Sequence, residues 1–213
     1  SNMITIGGSG PITLAGCLAL NLAENVVIGL INRVLYGDKT WCIGCDIAPL
    51  DMRTTMQPYG RPEMSLANLA SLQLARYYGT WGWGHTGLTD AKIPSNEAGM
   101  QKMLTALPCV LTGCGQIEAG ILGVDEIFSP IQMVIDAELV GALRYFIKGF
   151  DVNDETLAID LINEIGPGGF FTATEHTTEH FRSVQWQPRV WSRESLQQWL
   201  ASGAKTDINY AYD

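Results

Sequence analysis

The chain has 213 residues, 46% hydrophobic and 16% charged, which suits a single core-rich domain over residues 1–213 and excludes a disordered chain. Its 13 basic and 22 acidic residues give a net charge of −9, a surface that repels phosphate backbones and anionic lipids. Neither nucleic acid nor a membrane is therefore an expected partner.

The odd set of five cysteines (Cys17, Cys42, Cys45, Cys109 and Cys114) does not suit a secreted disulfide framework and reads as reduced, mostly buried thiols of a cytoplasmic protein. Ser1 and Asn2 read as a tag scar before a native Met3. No charge precedes Glu24, but the basic start of a signal peptide is missing. Gly7, Gly8, Gly10 and Pro11 also break the stretch that a spanning helix would need.

In chain order, short apolar or aromatic runs end in glycine and lead into a polar loop and a helical stretch. These runs are Ile4–Gly7, Trp41–Gly44, Trp81–Gly84 and Val110–Gly113, read as strands of successive βα units. Between them, the apolar spacing predicts helices over Pro11–Tyr36, Pro62–Tyr78 and Pro94–Leu107. Proline at the start and glycine past the end (Pro11 and Gly37, Pro62 and Gly79) delimit the first two. Further helices are expected over Pro130–Gly149, Asp154–Ile165, Thr174–Arg182 and Ser192–Leu200, with Ser192 as the last one's N-cap. The fold class is α/β of the (β/α) TIM-barrel type: about half a barrel, with four βα units over residues 1–118 and a helical C-terminal part over 119–213. A small open α/β sheet is the other arrangement these units allow. In both, ligands sit at the C-terminal ends of the strands, which here carry Ser9, Asp46, His85, Thr86, Asp90, Gln116 and Glu118.

Three short motifs compete for attention. Cys42-Ile43-Gly44-Cys45 mimics a redox pair, but residues i and i+3 of a strand point to opposite faces and no helix follows at once. Gly82-Trp83-Gly84-His85-Thr86-Gly87 matches a dinucleotide fingerprint, yet the next helix waits until Pro94 and Leu107 stands where the acid should be. His176-Thr177-Thr178-Glu179-His180 fits a zinc pattern with both histidines on one helix face, but a third ligand has no evident source. The plainer reading is a polar helix face.

Several stretches, in order along nearly the whole chain, resemble the trimethylamine methyltransferase family. They are Gly10–Gly16, Asp51–Thr54, Leu74–Gly79, Gly87–Lys92, Ile165–Gly169, Glu175–Thr177, His180–Arg182 and Trp186–Arg189. The resemblance implies the C-terminal half of a barrel enzyme that moves a methyl group from a methylamine or a quaternary amine such as a betaine to the Co(I) corrinoid of a partner protein. It implies no cofactor bound directly. Family members acting on trimethylamine carry pyrrolysine; this sequence has only standard residues, so it resembles the non-pyrrolysine branch, whose substrates are quaternary amines. A quaternary ammonium leaves as a neutral amine, so the site must hold a cation, orient one methyl group and exclude water. On this resemblance Asp46, Asp90 and Glu118 are candidate carboxylates for the cation and Trp41 and Trp83 are candidate cage walls. Arg53 or His85 is a candidate anchor for a betaine carboxylate, and Gln116 is a further strand-end polar group. No catalytic residue is assigned. The resemblance also implies that the first barrel half is not in this chain, and unpaired parallel edges then predict a homo-oligomer. The alternatives are a non-catalytic half-barrel for oligomerisation or corrinoid-protein docking, and a metal-binding protein using His176, Glu179 and His180.

Overall fold

The computed structural model describes residues 3–37 and 40–213; Ser1 and Asn2, read above as a scar, lie outside them. The mixed α/β chain starts with β1 (Ile4–Ile6), α1 (Leu14–Tyr36), β2 (Cys42–Cys45), β3 (Ile47–Pro49), α2 (Pro62–Tyr77) and β4 (Trp81–Gly84). β1 pairs in parallel with β3, Ile4 opposite Ile47, and β2 pairs in parallel with β4, Gly44 opposite Trp83. Asp46 separates β2 from β3, so one extended segment serves both neighbours, β4 through its first part and β1 through its second. Three strand positions thus lie side by side in chain order, each reached through a helix as parallel strands require.

The two faces of these strands differ. Ile43, Cys45 and Ile47 alternate onto one face and are buried. On that face a Cβ at Gly82 would meet the Ala75 methyl at 2.7 Å, and one at Gly84 would meet the Asn68 amide. Both glycines let α2 lie directly on β4. α1 is tied to the same strands: Asn21 Nδ2 donates to the Gly44 carbonyl at 2.8 Å, and Gly44 N–H donates to Asn25 Oδ1 at 3.0 Å. The opposite face carries Gly44, Asp46, Trp83 and His85.

Among the described residues α1 is long and apolar enough, by length and composition, to cross a membrane. The glycines and Pro11 expected to interrupt such a stretch lie ahead of its first residue, Leu14, so they do not shorten it. Its first half packs Leu14, Cys17 and Leu18 into the cluster around Ile4, Cys45 and Ile47, while Val34, Leu35 and Tyr36 are exposed.

The fourth expected strand, Val110–Gly113, is not a strand. Val110 and Leu111 are the last turn of α3 (Asn96–Leu111), which starts on the Ser95 cap and continues through Pro108. Proline cannot donate to the carbonyl of Leu104, four residues back. Ser65 Oγ of α2 donates to that carbonyl instead, at 2.8 Å, so the helix survives the proline. Val110 packs with Ala106, Leu139 and Leu143, the contact that keeps it helical. Where a fourth strand would run, residues 114–118 are irregular; Glu118 N–H donates to the Thr86 carbonyl at 2.9 Å and Thr86 Oγ1 donates to the Gln116 carbonyl. β5 (Ile121–Leu122) and β6 (Ile127–Phe128) then form a short antiparallel hairpin.

The C-terminal part comprises α4 (Pro130–Lys148), α5 (Asp154–Leu157), α6 (Ile159–Ile165), α7 (Glu175–Val184), α8 (Leu196–Ala201) and α9 (Asp207–Tyr212). The helix expected over Asp154–Ile165 is two pieces, broken at Ala158, whose backbone is left-handed (φ 47°). The N-cap of α8 is Ser195 rather than Ser192, because only Ser195 has a glutamine three residues on, Gln198, to complete a capping box.

Candidate functional site

This second face gathers polar residues at the C-terminal ends of the strands. Asp46 follows β2, His85 follows β4, and Glu118 comes from the irregular segment beside Thr86. His85 Nδ1 lies 2.8 Å from Glu118 Oε1, a hydrogen bond, and Nε2 lies 3.6 Å from Asp46 Oδ1, an ion-pair distance. The side chains of all three are partly covered. The carboxylates of Asp46 and Glu118 push the His85 pKa up to about 10 against the opposing cost of burial. At neutral pH the ring is an imidazolium with a carboxylate facing each nitrogen. One positive charge stands against two negative ones, so the cluster carries a net negative charge.

Trp83 forms the wall. Its ring meets His85 edge-on, with centroids 5.4 Å apart, and its indole lies across Gly44 on the neighbouring strand, where any Cβ would overlap it. Trp83 and His85 are two residues apart and share a strand face; so do Gly44 and Asp46 opposite them. A glycine at 44 thus lets the tryptophan lie flat over β2 beside the carboxylates.

Two further groups border the cluster. Tyr59 is buried, and burial together with the charges of Asp125 and Glu118 raises its phenol pKa. Asp125, which sequence reasoning missed, stands in the β5–β6 turn; burial and the Glu118 charge raise its carboxyl pKa, while His85 and Lys102 pull it the other way. The turn holds Val124 and Asp125 at φ of 60° and 65°, left-handed conformations that cost a β-branched residue on the order of 1–3 kcal/mol. Val124 N–H donating to the Thr89 carbonyl and Gly123 N–H donating to Ala91 hold it there. The only hint in the sequence was the turn composition of Gly123-Val124-Asp125.

The other expected residues do not join this cluster. Trp41 lies at the N-terminal end of β2, the far end from Asp46, where it packs edge-on against Tyr78 and covers Gly29. Asp90 Oδ1 accepts the Tyr59 and Gly60 N–H groups at 2.6 and 3.2 Å, anchoring the segment that brings Tyr59 in. Arg53 is exposed in the turn after β3, its N–H bonded to Asp51 Oδ1. Gln116 is exposed and lines, with Arg76, Trp81 and Trp83, a cleft of about 660 Å³ along β4.

All five cysteines are free; burial pushes the Cys45 thiol up to about 11 and Cys109 up to about 12, so both are protonated, unreactive thiols at neutral pH. His176 and His180 lie on α7 with ring centroids 4.5 Å apart and ring planes tilted by 52°. Among the described residues no group of three His, Cys, Asp or Glu is placed to share a metal ion.

The family model described as trimethylamine methyltransferase (MTTB) matches residues 1–213. The chain is 33% identical over 216 residues to the trimethylamine methyltransferase MttB of Desulfitobacterium hafniense (strain DSM 10664 / DCB-2), covering 100% of this chain and 43% of that protein. To the trimethylamine methyltransferase MttB1 of Methanosarcina acetivorans it is 33% identical over 214 residues, again 100% of this chain and 43% of the relative. To the glycine betaine methyltransferase of Desulfitobacterium hafniense (strain Y51) it is 32% identical over 209 residues, 97% of this chain and 43% of the relative. The chain therefore spans less than half the length of the relatives it matches. With the family model covering every residue, the chain belongs to the trimethylamine methyltransferase family.

Proposed function

We propose that this chain carries the amine-binding part of a cytoplasmic methyltransferase, a half-barrel acting on a quaternary amine, betaine-like, or on a methylamine. The observation that carries the reading is the Asp46–His85–Glu118 cluster under Trp83: a net-negative, partly dehydrated patch beside an aromatic wall at the strand ends. Such a patch favours a permanent cation, which carboxylates attract by charge and an indole by its ring quadrupole. A Co(I) corrinoid on a partner protein supplies the nucleophile for methyl transfer in this reading. The carbon–nitrogen electron pair stays on nitrogen, and the amine leaves neutral. The residues of this chain hold the cation, fix which methyl group points outward and keep water from the ammonium. His85 faces carboxylates on both sides, so a betaine carboxylate is left to a cation outside the cluster.

Calorimetric titration with glycine betaine, choline and trimethylamine, alone and with a cobalamin-loaded corrinoid protein, tests this. Saturable binding of one amine, weakened about tenfold or more by Glu118→Gln, is the expected result. A folded chain that takes up none of them under either condition overturns the proposal.

A further inference from the structure

Beneath the cluster lies a group that the binding site itself does not use. Lys102, in α3, is 1% exposed and its Nζ is 2.9 Å from Oδ2 of Asp136, in α4, which is 2% exposed. A buried lysine of this kind persists only when its three donors are met. Here the other two point at main chain: Nζ donates to the Gly87 carbonyl at 2.8 Å and reaches the Glu118 carbonyl at 3.4 Å. Asp136 works on the same segment, accepting the Gly120 N–H at 2.7 Å through Oδ2 and the Gln132 side-chain amide at 2.7 Å through Oδ1. The ion pair thus grips one segment two residues after His85 and another at and just after Glu118.

That grip matters because Glu118 has no strand to hold it. Residues 114–118 lack a regular ladder and meet the strand end through Thr86. Gly87, at φ 76°, lets the two segments close up; a Cβ there would stand 3.1 Å from the Glu118 carbonyl and 2.7 Å from Ile117. We infer that the Lys102–Asp136 pair is a positioning device for the ligand site: it sets the distance between Glu118 and His85 from behind, by joining the main chain of the two segments that carry them. It rests on the reading of that cluster as the amine site, but its test needs no ligand, so it can fail while amine binding stands.

The test is to read His85 itself. The chain has three histidines, and the His85 resonance is assigned by its loss in His85→Gln. Five groups act on the ring or on its partners: Asp46, Glu118, Asp125, Tyr59 and Lys102. In the native chain the imidazole should stay protonated well past neutrality, with a midpoint near the value of about 10 given above. Glu118→Gln, which removes the nearer carboxylate, sets the scale of the fall. The double variant Lys102→Met with Asp136→Leu removes a neutral pair and leaves no buried charge, a replacement that folds retain well. Its His85 midpoint should fall by about a unit or more towards that of Glu118→Gln, because Glu118 is no longer held. Lys102→Met with Asp136→Asn keeps an acceptor for the Gly120 N–H on the amide oxygen and lets Gln132 turn its own unpaired oxygen to the new NH2 group; it loses the lysine's hydrogen bonds and should show the same fall. Should the first variant not fold, the second decides alone. A folded double variant whose His85 titrates as in the native chain reduces the pair to packing and overturns the inference.

Discussion

In residues 3–148 helices lean on strands through side chains that are buried and far apart in sequence; in residues 149–213 they stand mostly on their own caps. α2 is seated by Gly82 and Gly84, α1 by Asn21 and Asn25, α3 by Ser65 and Lys102. By contrast, α5 to α9 contain no buried residue. Three of these helices carry full capping boxes, at Asn153, Ser195 and Thr206. The tail is tied to the rest at α4, on which α9 packs. Oε1 of the buried Glu138 in α4 accepts the N–H groups of Arg189, Val190 and Trp191 at 2.5, 2.9 and 3.4 Å. Tyr145 OH donates to the Val184 carbonyl, and Trp186 lies over Gly141. The strand layer therefore owes its shape to contacts that no local stretch can supply, and the tail owes most of its shape to local ones. The site sits wholly in the first region.

The sharpest way to break that contrast is inside the first region. Lys102→Met alone leaves the Asp136 carboxylate buried without its cation, a loss of about 3–5 kcal/mol. Urea unfolding should show the strand layer losing its transition midpoint while the isolated caps of the tail are untouched. The double variant with Asp136→Leu should recover most of that stability; if the single and double variants are equally destabilised, the pair is not the anchor described. A smaller effect is expected at the junction. Glu138→Ala strips three main-chain N–H groups of their acceptor, costing about 2–3 kcal/mol. Because that carboxylate holds residues 189–191, limited proteolysis should open residues 185–195 before any cut in residues 3–148. Equal protection of both regions in the variant would show that this segment has another sufficient hold.

The same contrast explains what the sequence could and could not reveal. Helices bounded by a proline and a glycine, such as α2, were legible because their signals are local. Pro108 looked like a stop because the residue that replaces its missing hydrogen bond, Ser65, sits on another helix. For the same reason Val110-Leu111 passed for a strand: two apolar residues fit either period until Ala106, Leu139 and Leu143 claim Val110. At the site, Asp46, His85 and Glu118 could be picked out as polar residues at expected strand ends. That they converge on one imidazole depends on strand register, which brings Gly44 opposite Trp83 and so Asp46 towards His85. Trp41 shows the limit, since belonging to the same strand put it at the wrong end. Asp125 and Lys102 were invisible, one placed by a strained turn and the other by three-dimensional pairing.

The smallest expected effect tests the second region from within. Ser195 Oγ accepts the Gln198 N–H, and the Ser195 N–H donates in turn to Gln198 Oε1 at 2.9 Å. Ser195→Ala removes one half of this exchange and should cost α8 about 0.5–1 kcal/mol. Because α8 buries no residue, that loss has nothing behind it to absorb it, and it should appear only locally. Amide exchange of residues 196–201 should quicken by about twofold to fivefold, the factor that such an energy implies, while the amides of β2 and β4 keep their native protection. If exchange in the strands quickened in step, the tail would be coupled to the layer far beyond Glu138. The division between a region held by distant contacts and one held by its own caps would then have to be redrawn.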